Sequence, residues 1–195
     1  MEEQKIDIKV LILCAVAVAI NVLLGTIVAF INIPFVYLSG MGTIFIAVNF
    51  KMRYGVITGL TTHLLLGLIH GPTTVFFGLS SMVNAIVANL CSRKKFDVPQ
   101  AIFTGTLVSL IGSMVSVCIR LILFGGLSNS VTDVLIFAVR STGVGMFIAA
   151  YVGAVTDSII DKILSCLLVM KLSKLPPLQK VFNSLSGSVK ERLLS

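Results

Sequence analysis

Basic residues occupy alternate gaps between long apolar segments of this chain, and this arrangement constrains the fold more than any single motif. The gaps at 32–40, 70–74 and 125–132 contain neither Lys nor Arg. The basic residues that flank the apolar segments elsewhere are Lys5, Lys9, Lys51, Arg53, Arg93, Lys94, Lys95, Lys171, Lys174, Lys180, Lys190 and Arg192. Cytoplasmic loops of helical membrane proteins carry such an excess of Lys and Arg. The pattern predicts an all-α membrane protein with six transmembrane helices and both termini in the cytoplasm.

The composition favours the same class of protein. Hydrophobic residues make up 56% of the 195 positions and charged residues 12%, against about 25% charged residues in an ordinary soluble domain. Because one helical span needs about 20 apolar residues, six spans with short loops nearly fill the chain. The net charge of +7 suits contact with anionic lipid headgroups. It does not indicate nucleic-acid binding, because no basic patch is interleaved with aromatic residues.

Five spans are predicted in the first two thirds of the chain, at 10–31, within 35–50, and at 56–71, 75–90 and 101–124. The first is too long for the apolar region of a signal peptide and is expected to stay in the membrane. Pro34 follows it, and proline cannot continue a helix. Because Gly40 and Gly42 interrupt the segment 35–50, we expect a short or re-entrant outer loop near Tyr37 and then a short second helix.

The last third allows two arrangements. In the favoured one, 126–155 is a long outer segment with a re-entrant or interfacial helix, and the last span is about 156–173. In the other, 134–155 is the span and 157–173 lies along the inner surface, as an amphipathic helix does. Its polar stripe would then be Asp157, Ser158, Asp161, Lys162 and Ser165. Residues 1–177 are predicted to form a single membrane domain, and 178–195 a loosely ordered polar cytoplasmic tail.

Ionisable residues within the apolar segments indicate where a solute could bind. Charges at membrane depth are costly and normally face a cavity or one another. Asp157 and Asp161 are one helical turn apart, so they share a face and need a cation such as Arg120, Arg140 or a ligand. Alternatively, these groups lie at the membrane surface and are solvated. The predicted substrate-binding residues are Tyr37, His70, Asn84, Arg120, Arg140, Asp157, Asp161 and Lys162.

Small and polar residues in the spans are interpreted mainly as packing groups. Glycines recur on one ridge of the third span, which allows close helix contact in lipid; with the histidine on that ridge they are Gly55, Gly59, His63, Gly67 and Gly71. The serines and asparagines of the fourth and fifth spans are expected to bond their own helix backbone; they are Asn84, Asn89, Ser113 and Ser116. The four cysteines are expected to be reduced and buried. Ala15 and Ala19 form a small-residue face for internal packing or a partner subunit.

Sequence signatures of enzymes are missing. The chain contains no GxxxxGK[ST] phosphate loop, no HExxH and no GxSxG motif, so it binds no nucleotide and catalyses no hydrolysis by those routes. It also lacks the GxGD sequence of intramembrane aspartyl proteases. Neither histidine has a third metal ligand of suitable type nearby in the sequence. We therefore predict no catalysis, no resident metal and no cofactor.

Over about residues 8–177 the chain resembles the substrate-capture (S) components of energy-coupling factor (ECF) transporters. The resemblance depends on the length, the six predicted spans, the Ala15 and Ala19 face, and the style of three segments. These segments are IPFVYLSGMGTIFIAV, YGVITGLTTHLLLG and DSIIDKILSCLLVMKLSKLPP.

The resemblance implies a multi-pass subunit of the bacterial plasma membrane that captures a small vitamin or vitamin precursor from outside. It implies that the loop after helix one and helices four to six form the pocket. The first helix, through Ala15 and Ala19, would contact a transmembrane coupling subunit, and two ATPase subunits would energise uptake.

Two features depart from members of that family. Nickel and cobalt members use an N-terminal metal-binding arm, whereas this chain begins Met1-Glu2-Glu3-Gln4, so a metal cargo is disfavoured. The chain has no tryptophan, a stacking group in many vitamin sites. The alternative function is a membrane assembly or anchoring protein that binds no solute.

Overall fold

The computed structural model describes residues 8–31, 38–92, 96–127 and 132–184, and within them the regular secondary structure is helical. The helices are α1 (Ile8–Ile31), α2 (Met41–Asn49), α3 (Met52–His70), α4 (Thr73–Phe76), α5 (Gly78–Cys91), α6 (Val98–Phe124), α7 (Thr132–Arg140), α8 (Met146–Ser173) and α9 (Pro176–Ser184). The all-helical prediction is confirmed for this part of the chain.

Four segments of the described chain are long and apolar enough to cross a membrane: Ile8–Val28, Met52–His70, Thr73–Cys91 and Val98–Phe124. Helix α8 is longer than any of them at 28 residues, but it carries Asp157, Asp161 and Lys162 near its middle. Many large apolar side chains of these helices face outwards, including Phe30 at 92% and Leu68 at 83% exposure. Such a surface suits lipid rather than water, so the helices are those of a membrane-embedded protein.

Helix α2 lies in the middle of the bundle and is short. It packs against α1, α3, α5 and α8. Its nine residues span only about 14 Å at 1.5 Å per residue, about half of a bilayer core. The prediction of a short second helix was correct, but α2 cannot cross the membrane by itself.

A buried asparagine joins the first three helices. Asn21 is fully buried in α1; its Oδ1 accepts from the Gly42 backbone N–H at 2.7 Å, and its Nδ2 donates to Thr43 Oγ1 and Thr62 Oγ1 at 3.0 and 3.1 Å. Gly42 approaches α1 so closely that a Cβ there would lie 2.5 Å from the carbonyl oxygen of Ala17. These contacts fix the depth of α2 against α1 and α3.

Most of the glycine ridge of α3 is a packing surface, as predicted; Gly71 is the exception, because a Cβ there would have no neighbour within 4 Å. A Cβ at Gly55 would lie 2.7 Å from the Cβ of Ala47 in α2, and one at Gly59 would lie 2.8 Å from Ser81 Oγ in α5. A Cβ at Gly67 would overlap Val75 of α4. Glycine therefore lets α3 contact three neighbouring helices at short distance.

For the last third, the surface-helix arrangement was wrong, and the favoured one placed the start of the last helix too late. Helix α8 is continuous from Met146 to Ser173 and so combines parts of 134–155 and 156–173, whereas α7 is a separate helix of nine residues. The polar stripe does not lie along a surface, because Asp161 and Ser165 are fully buried and Asp157 is 7% exposed. Ser158 contacts α6, whereas Asp157 accepts a hydrogen bond from α7 and Asp161 accepts one from the residues before α2. Because neighbouring elements provide these partners, the polar stripe lies inside one continuous helix.

The start of the predicted tail is ordered, contrary to the expectation for residues 178–195. Helix α9 extends to Ser184, and the Phe182 side chain is 4% exposed. Its ring packs against Phe45 and, edge to face, against Phe50, with centroid distances of 6.0 and 5.6 Å. Residues 185–195 lie outside the described residues.

Contacts between helix ends gather the described basic flanks at one end of the bundle. Phe182 joins a cluster with Val10 and Tyr54, and Lys174 Nζ lies 3.2 Å from Asp97 Oδ1 at the start of α6. This basic end contains Lys9, Lys51, Arg53, Lys171, Lys174 and Lys180. The predicted loop 93–95 lies outside the described residues. The clustering agrees with the alternation of charge along the sequence.

Of the four cysteines, only Cys14 and Cys166 meet the expectation of burial; Cys91 is partly exposed and Cys118 is exposed. All four are free thiols. Cys118 lies on the outer side of α6 among large apolar side chains, where a small hydrophobic side chain suits contact with lipid.

Candidate polar solute cavity

A cavity of about 460 Å³ lies between α3, α4, α5, α6 and α8, at the end of the bundle away from the basic flanks. Most of the residues that line it have polar side chains, although the surrounding helices are apolar. The polar residues that line it are Ser39, His63, Thr74, Ser80, Ser81, Asn84, Ser109, Ser113, Ser116, Arg120, Asp157, Ser158 and Lys162. Because α2 is short, the residues directly before it, Ser39 and Gly40, reach this wall.

Serine hydroxyls join α6 to α8 along one side of the cavity. Ser158 Oγ lies 2.6 Å from Ser109 Oγ and 2.8 Å from Ser113 Oγ. Ser113 Oγ also donates to the carbonyl of Ala154 at 3.2 Å. These contacts cross between helices, so the expectation that Ser113 bonds its own helix backbone was wrong. Gly105 lies below them, where a Cβ would stand 2.7 Å from the Cα of Ile163.

A second pair of serines joins α5 to α6. Ser80 Oγ donates to the carbonyl of Gly112 at 3.0 Å and lies 2.8 Å from Ser116 Oγ. The expectation of bonding within one helix was therefore wrong for Ser116 as well. It was also wrong for Asn89, whose Nδ2 donates to the carbonyls of Ala47 and Phe50. In an apolar bundle, hydrogen bonds between helices satisfy groups that lipid cannot.

Asn84 reaches across from α5 to α6 and lines the cavity. Its side chain lies so close to Gly112 that a Cβ at position 112 would overlap the Asn84 amide. The Oδ1 atom is buried and has no hydrogen-bond partner in the described part of the chain. An acceptor of this kind, withdrawn from solvent, is costly unless a donor reaches it.

Arg120 lines the same cavity one turn beyond Ser116 on α6. Its Nη1 atom is buried and, among the described residues, has no hydrogen-bond partner. The ion pairs of the described chain do not include Arg120. The predicted pairing of Arg120 with the aspartates of α8 was therefore wrong, because both carboxylates have partners of their own.

Asp161 is fully buried behind the cavity wall. Its Oδ2 lies 2.6 Å from Lys162 Nζ, and its Oδ1 accepts from the backbone N–H of Leu38 at 2.7 Å. Leu38 has a positive φ of 48°, a conformation uncommon for a leucine. The carboxylate thus anchors the residues before α2 to the middle of α8, while the Lys162 side chain faces the cavity.

Asp157 faces the cavity directly and also ties α7 to α8. It is 7% exposed, and its Oδ2 accepts from Thr132 Oγ1 at 2.9 Å. Close packing of Gly153 against Ile136, where a Cβ would lie 2.8 Å from Cγ1, holds the two helices together below this bond. Helix α7 therefore closes the wall beside Asp157.

His63 belongs to the cavity wall although the sequence favoured a packing function. Its Nδ1 donates to the carbonyl of Thr74 at 3.3 Å, which holds the imidazole between α3 and α4. The position on the glycine ridge was a signal for this placement, because Gly59 and Gly67 on either side contact α5 and α4. Because His63 lies on the same face of α3 as these glycines, its side chain also points towards the neighbouring helices.

The structure brings together half of the predicted substrate-binding residues. Asn84, Arg120, Asp157 and Lys162 line one cavity, and whether they bind a solute stays a prediction. Asp161 lies behind the wall.

Two predicted residues do not join these. His70 is exposed at the end of α3, with Nε2 3.5 Å from Thr26 Oγ1 of α1. Arg140 is exposed at the end of α7 and contacts Met146 Sδ at 3.8 Å. Tyr37 lies outside the described residues.

Ala15 and Ala19 are exposed on α1. This helix packs against α2 and α3 on its other side. Larger side chains flank the two alanines, with Ile12 at 60%, Val16 at 51% and Leu23 at 61% exposure. The predicted partner face is therefore available at the edge of the bundle.

Comparison with known proteins gives no relative from which to infer a function. No family model matches the sequence, and no curated protein or solved structure gives a significant match. Among the described residues, no group of three His, Cys, Asp or Glu side chains could hold a metal ion.

Proposed function

We propose that this protein is a membrane-embedded solute-capture subunit of the ECF S-component type, which binds a small vitamin or vitamin precursor from outside. The observation that carries the proposal is this cavity, which Asn84 and Arg120 line. The Asn84 Oδ1 and Arg120 Nη1 atoms are buried and have no hydrogen-bond partner in the described chain. The anchoring alternative does not account for the cluster of polar side chains around this cavity.

The size and the chemistry of the cavity support a small solute. Ligand sites commonly have volumes of about 300–1,000 Å³ and orient the ligand through a few polar groups. The cavity volume of about 460 Å³ is at the lower end of that range. Polar groups within a membrane domain are costly and tend to mark solute pathways.

Energy for uptake would come from other subunits. The sequence has no phosphate loop for ATP, so ATP-driven accumulation would need ATPases from other subunits. The S-component type adds a transmembrane coupling subunit between them and this protein. The exposed face at Ala15 and Ala19 is the proposed contact with the coupling subunit. The protein itself would bind and release the solute without chemical change.

Thermal unfolding of the purified protein with B vitamins and their precursors tests the proposal. A compound that binds only the folded state raises the melting temperature by mass action. We expect one compound to do so, and Asn84→Leu to abolish its effect by removing the acceptor and filling the cavity. If no vitamin or precursor raises the melting temperature, the solute-capture function is wrong and the anchoring alternative is favoured.

The proposed orientation has the basic end in the cytoplasm of a bacterial cell. In a variant without the native cysteines, a cysteine at the exposed Lys174 should react only with membrane-permeant reagents in intact cells. A cysteine at the exposed Ser141 at the opposite end should react with impermeant reagents. This follows because cytoplasmic loops retain basic residues. If impermeant reagents labelled position 174 but not position 141, the orientation would be the reverse of the one proposed.

If Ala15 and Ala19 contact the coupling subunit, substitutions there should impair assembly with that subunit but not solute binding. Replacing Ala15 and Ala19 together by leucine should prevent close approach of a partner helix. Co-purification with the coupling subunit and solute uptake should fall at least tenfold, while solute binding to the isolated protein stays unchanged. Leu23→Ala, on the same exposed side of α1, is the control and should preserve assembly. Unchanged co-purification of the double variant would contradict this interface.

A further inference from the structure

The charged side chains around the cavity differ in the ion pairs and hydrogen bonds that they make. Lys162 Nζ is paired with Asp161 at 2.6 Å, and its side chain is 15% exposed. Asp157 accepts a hydrogen bond from Thr132 at 2.9 Å. Arg120, by contrast, has neither an ion pair nor a hydrogen bond with the described residues, although its Nη1 is buried. Arg120 therefore lines the cavity without an ion pair to a described residue, while Asp157 adds a negative charge to the same wall.

The guanidinium group favours a particular kind of counter-charge. It stays protonated, presents five donors in a planar fork, and matches a carboxylate or a phosphate with two parallel hydrogen bonds. A neutral acceptor could satisfy one donor but would leave the charge uncompensated. Because Nη1 is withdrawn from solvent, an anionic group is the partner that its environment favours most.

The other buried atom without a partner in the described chain, Asn84 Oδ1, needs a hydrogen-bond donor, whereas Arg120 needs an acceptor. Asn84 Oδ1 is an acceptor, so it needs an N–H or O–H group. Protein donors nearby are already engaged: the hydroxyl of Ser80 donates to Gly112 and contacts Ser116. A molecule that satisfies both atoms carries an anionic group and a hydrogen-bond donor.

From these contacts we propose that the solute is a small organic anion, with its carboxylate or phosphate bound by Arg120 and an N–H or O–H group donated to Asn84. The assignment rests on the proposed solute-capture function and adds the charge and the orientation of the solute. The resemblance to vitamin-uptake subunits does not specify either property.

Matched pairs of compounds at constant pH and ionic strength test the charge of the solute. The probes are nicotinate and nicotinamide, pantothenate and pantothenol, and pyridoxal 5′-phosphate and pyridoxal, with thiamine as a cation. We expect the anionic member of at least one pair to raise the melting temperature and to bind at least about tenfold more tightly than its neutral partner. A tenfold difference corresponds to about 1.4 kcal/mol, close to the lower limit for one hydrogen bond to a charged group.

Variants of Arg120 test the residue itself. Arg120→Gln should weaken binding of the anion at least about tenfold and remove the preference over the neutral analogue. Arg120→Lys keeps the charge but loses the planar fork, so we expect an intermediate affinity. Arg140→Gln is the matched control, because Arg140 is exposed outside the cavity, and it should change neither affinity.

The outcomes distinguish failure of the anion assignment from failure of the proposed solute-capture function. A neutral compound or thiamine that binds as tightly as any anion would overturn the anion assignment but preserve solute capture. Discrimination that persists in Arg120→Gln would overturn the assignment of Arg120. Absence of any stabilising compound in the wild-type protein would overturn the proposed function and the inference with it.

Discussion

Replacing Asp161 by alanine is expected to lower the free energy of unfolding by about 3–5 kcal/mol, the usual range when one partner of a buried ion pair is removed. The carboxylate is fully buried, and it is bonded to Lys162 Nζ at 2.6 Å and to the Leu38 N–H at 2.7 Å. Alanine would leave an ammonium group and a backbone donor without their acceptor. Unfolding in mixed micelles of increasing denaturing-detergent fraction measures the loss.

A second ion pair of the same chain provides the control. Asp97 and Lys174 lie 3.2 Å apart, with side chains 60% and 58% exposed. Solvent screens such a pair, so Asp97→Ala should cost no more than about 1 kcal/mol. The double variant Asp161→Leu with Lys162→Met should recover part of the stability, because both charges are then removed. Equal losses for Asp161→Ala and Asp97→Ala would show that the buried pair contributes no more than the exposed one.

The sequence predicted helix positions well because their signals are local. A run of apolar residues that ends at proline, glycine or charged residues defines a membrane-type helix without knowledge of its neighbours. The predicted span 101–124 corresponds to Val98–Phe124, and 10–31 corresponds to Ile8–Ile31. The pattern of basic residues is also a local signal, and the described basic flanks lie at one end of the bundle.

The last third was predicted less well because its signal is not local. The charges of α8 interrupt an apolar run, so the sequence suggested either a break or a surface helix. In the structure, the serines of α6, the short α2 and the residues before α2 provide a polar environment for the same stripe. Whether a polar stripe is buried depends on its partners, and a single segment does not contain that information.

The candidate site was predicted in part for the same reason. Ionisable residues stood out against apolar surroundings, and Asn84, Arg120, Asp157 and Lys162 do line one cavity. The serines did not stand out, because a serine in a span normally bonds its own helix. Their alignment depends on the register between α5, α6 and α8, which only the packed structure gives. Arg140, at the end of α7, is exposed and lies outside the cavity.

Close contact between α6 and α8 gives the second large expected effect. Gly105→Val should lower the free energy of unfolding by about 3 kcal/mol, the upper part of the range for overpacking. A Cβ at this position would lie 2.7 Å from the Cα and 2.9 Å from the N of Ile163. Backbone atoms cannot turn aside as a flexible side chain can, so the two helices must separate.

That separation would also affect the cavity, since Ser158 would move away from Ser109 and Ser113, which it now contacts at 2.6 and 2.8 Å. We therefore expect Gly105→Val to weaken solute binding at least tenfold as well as stability. Thr106→Val is the matched control on the next residue, because the Thr106 hydroxyl donates only to Ile102 of its own helix, at 3.0 Å. It should cost less than about 1 kcal/mol and preserve binding. Equal effects of the two valines would mean that close packing of α6 on α8 does not hold the cavity wall together.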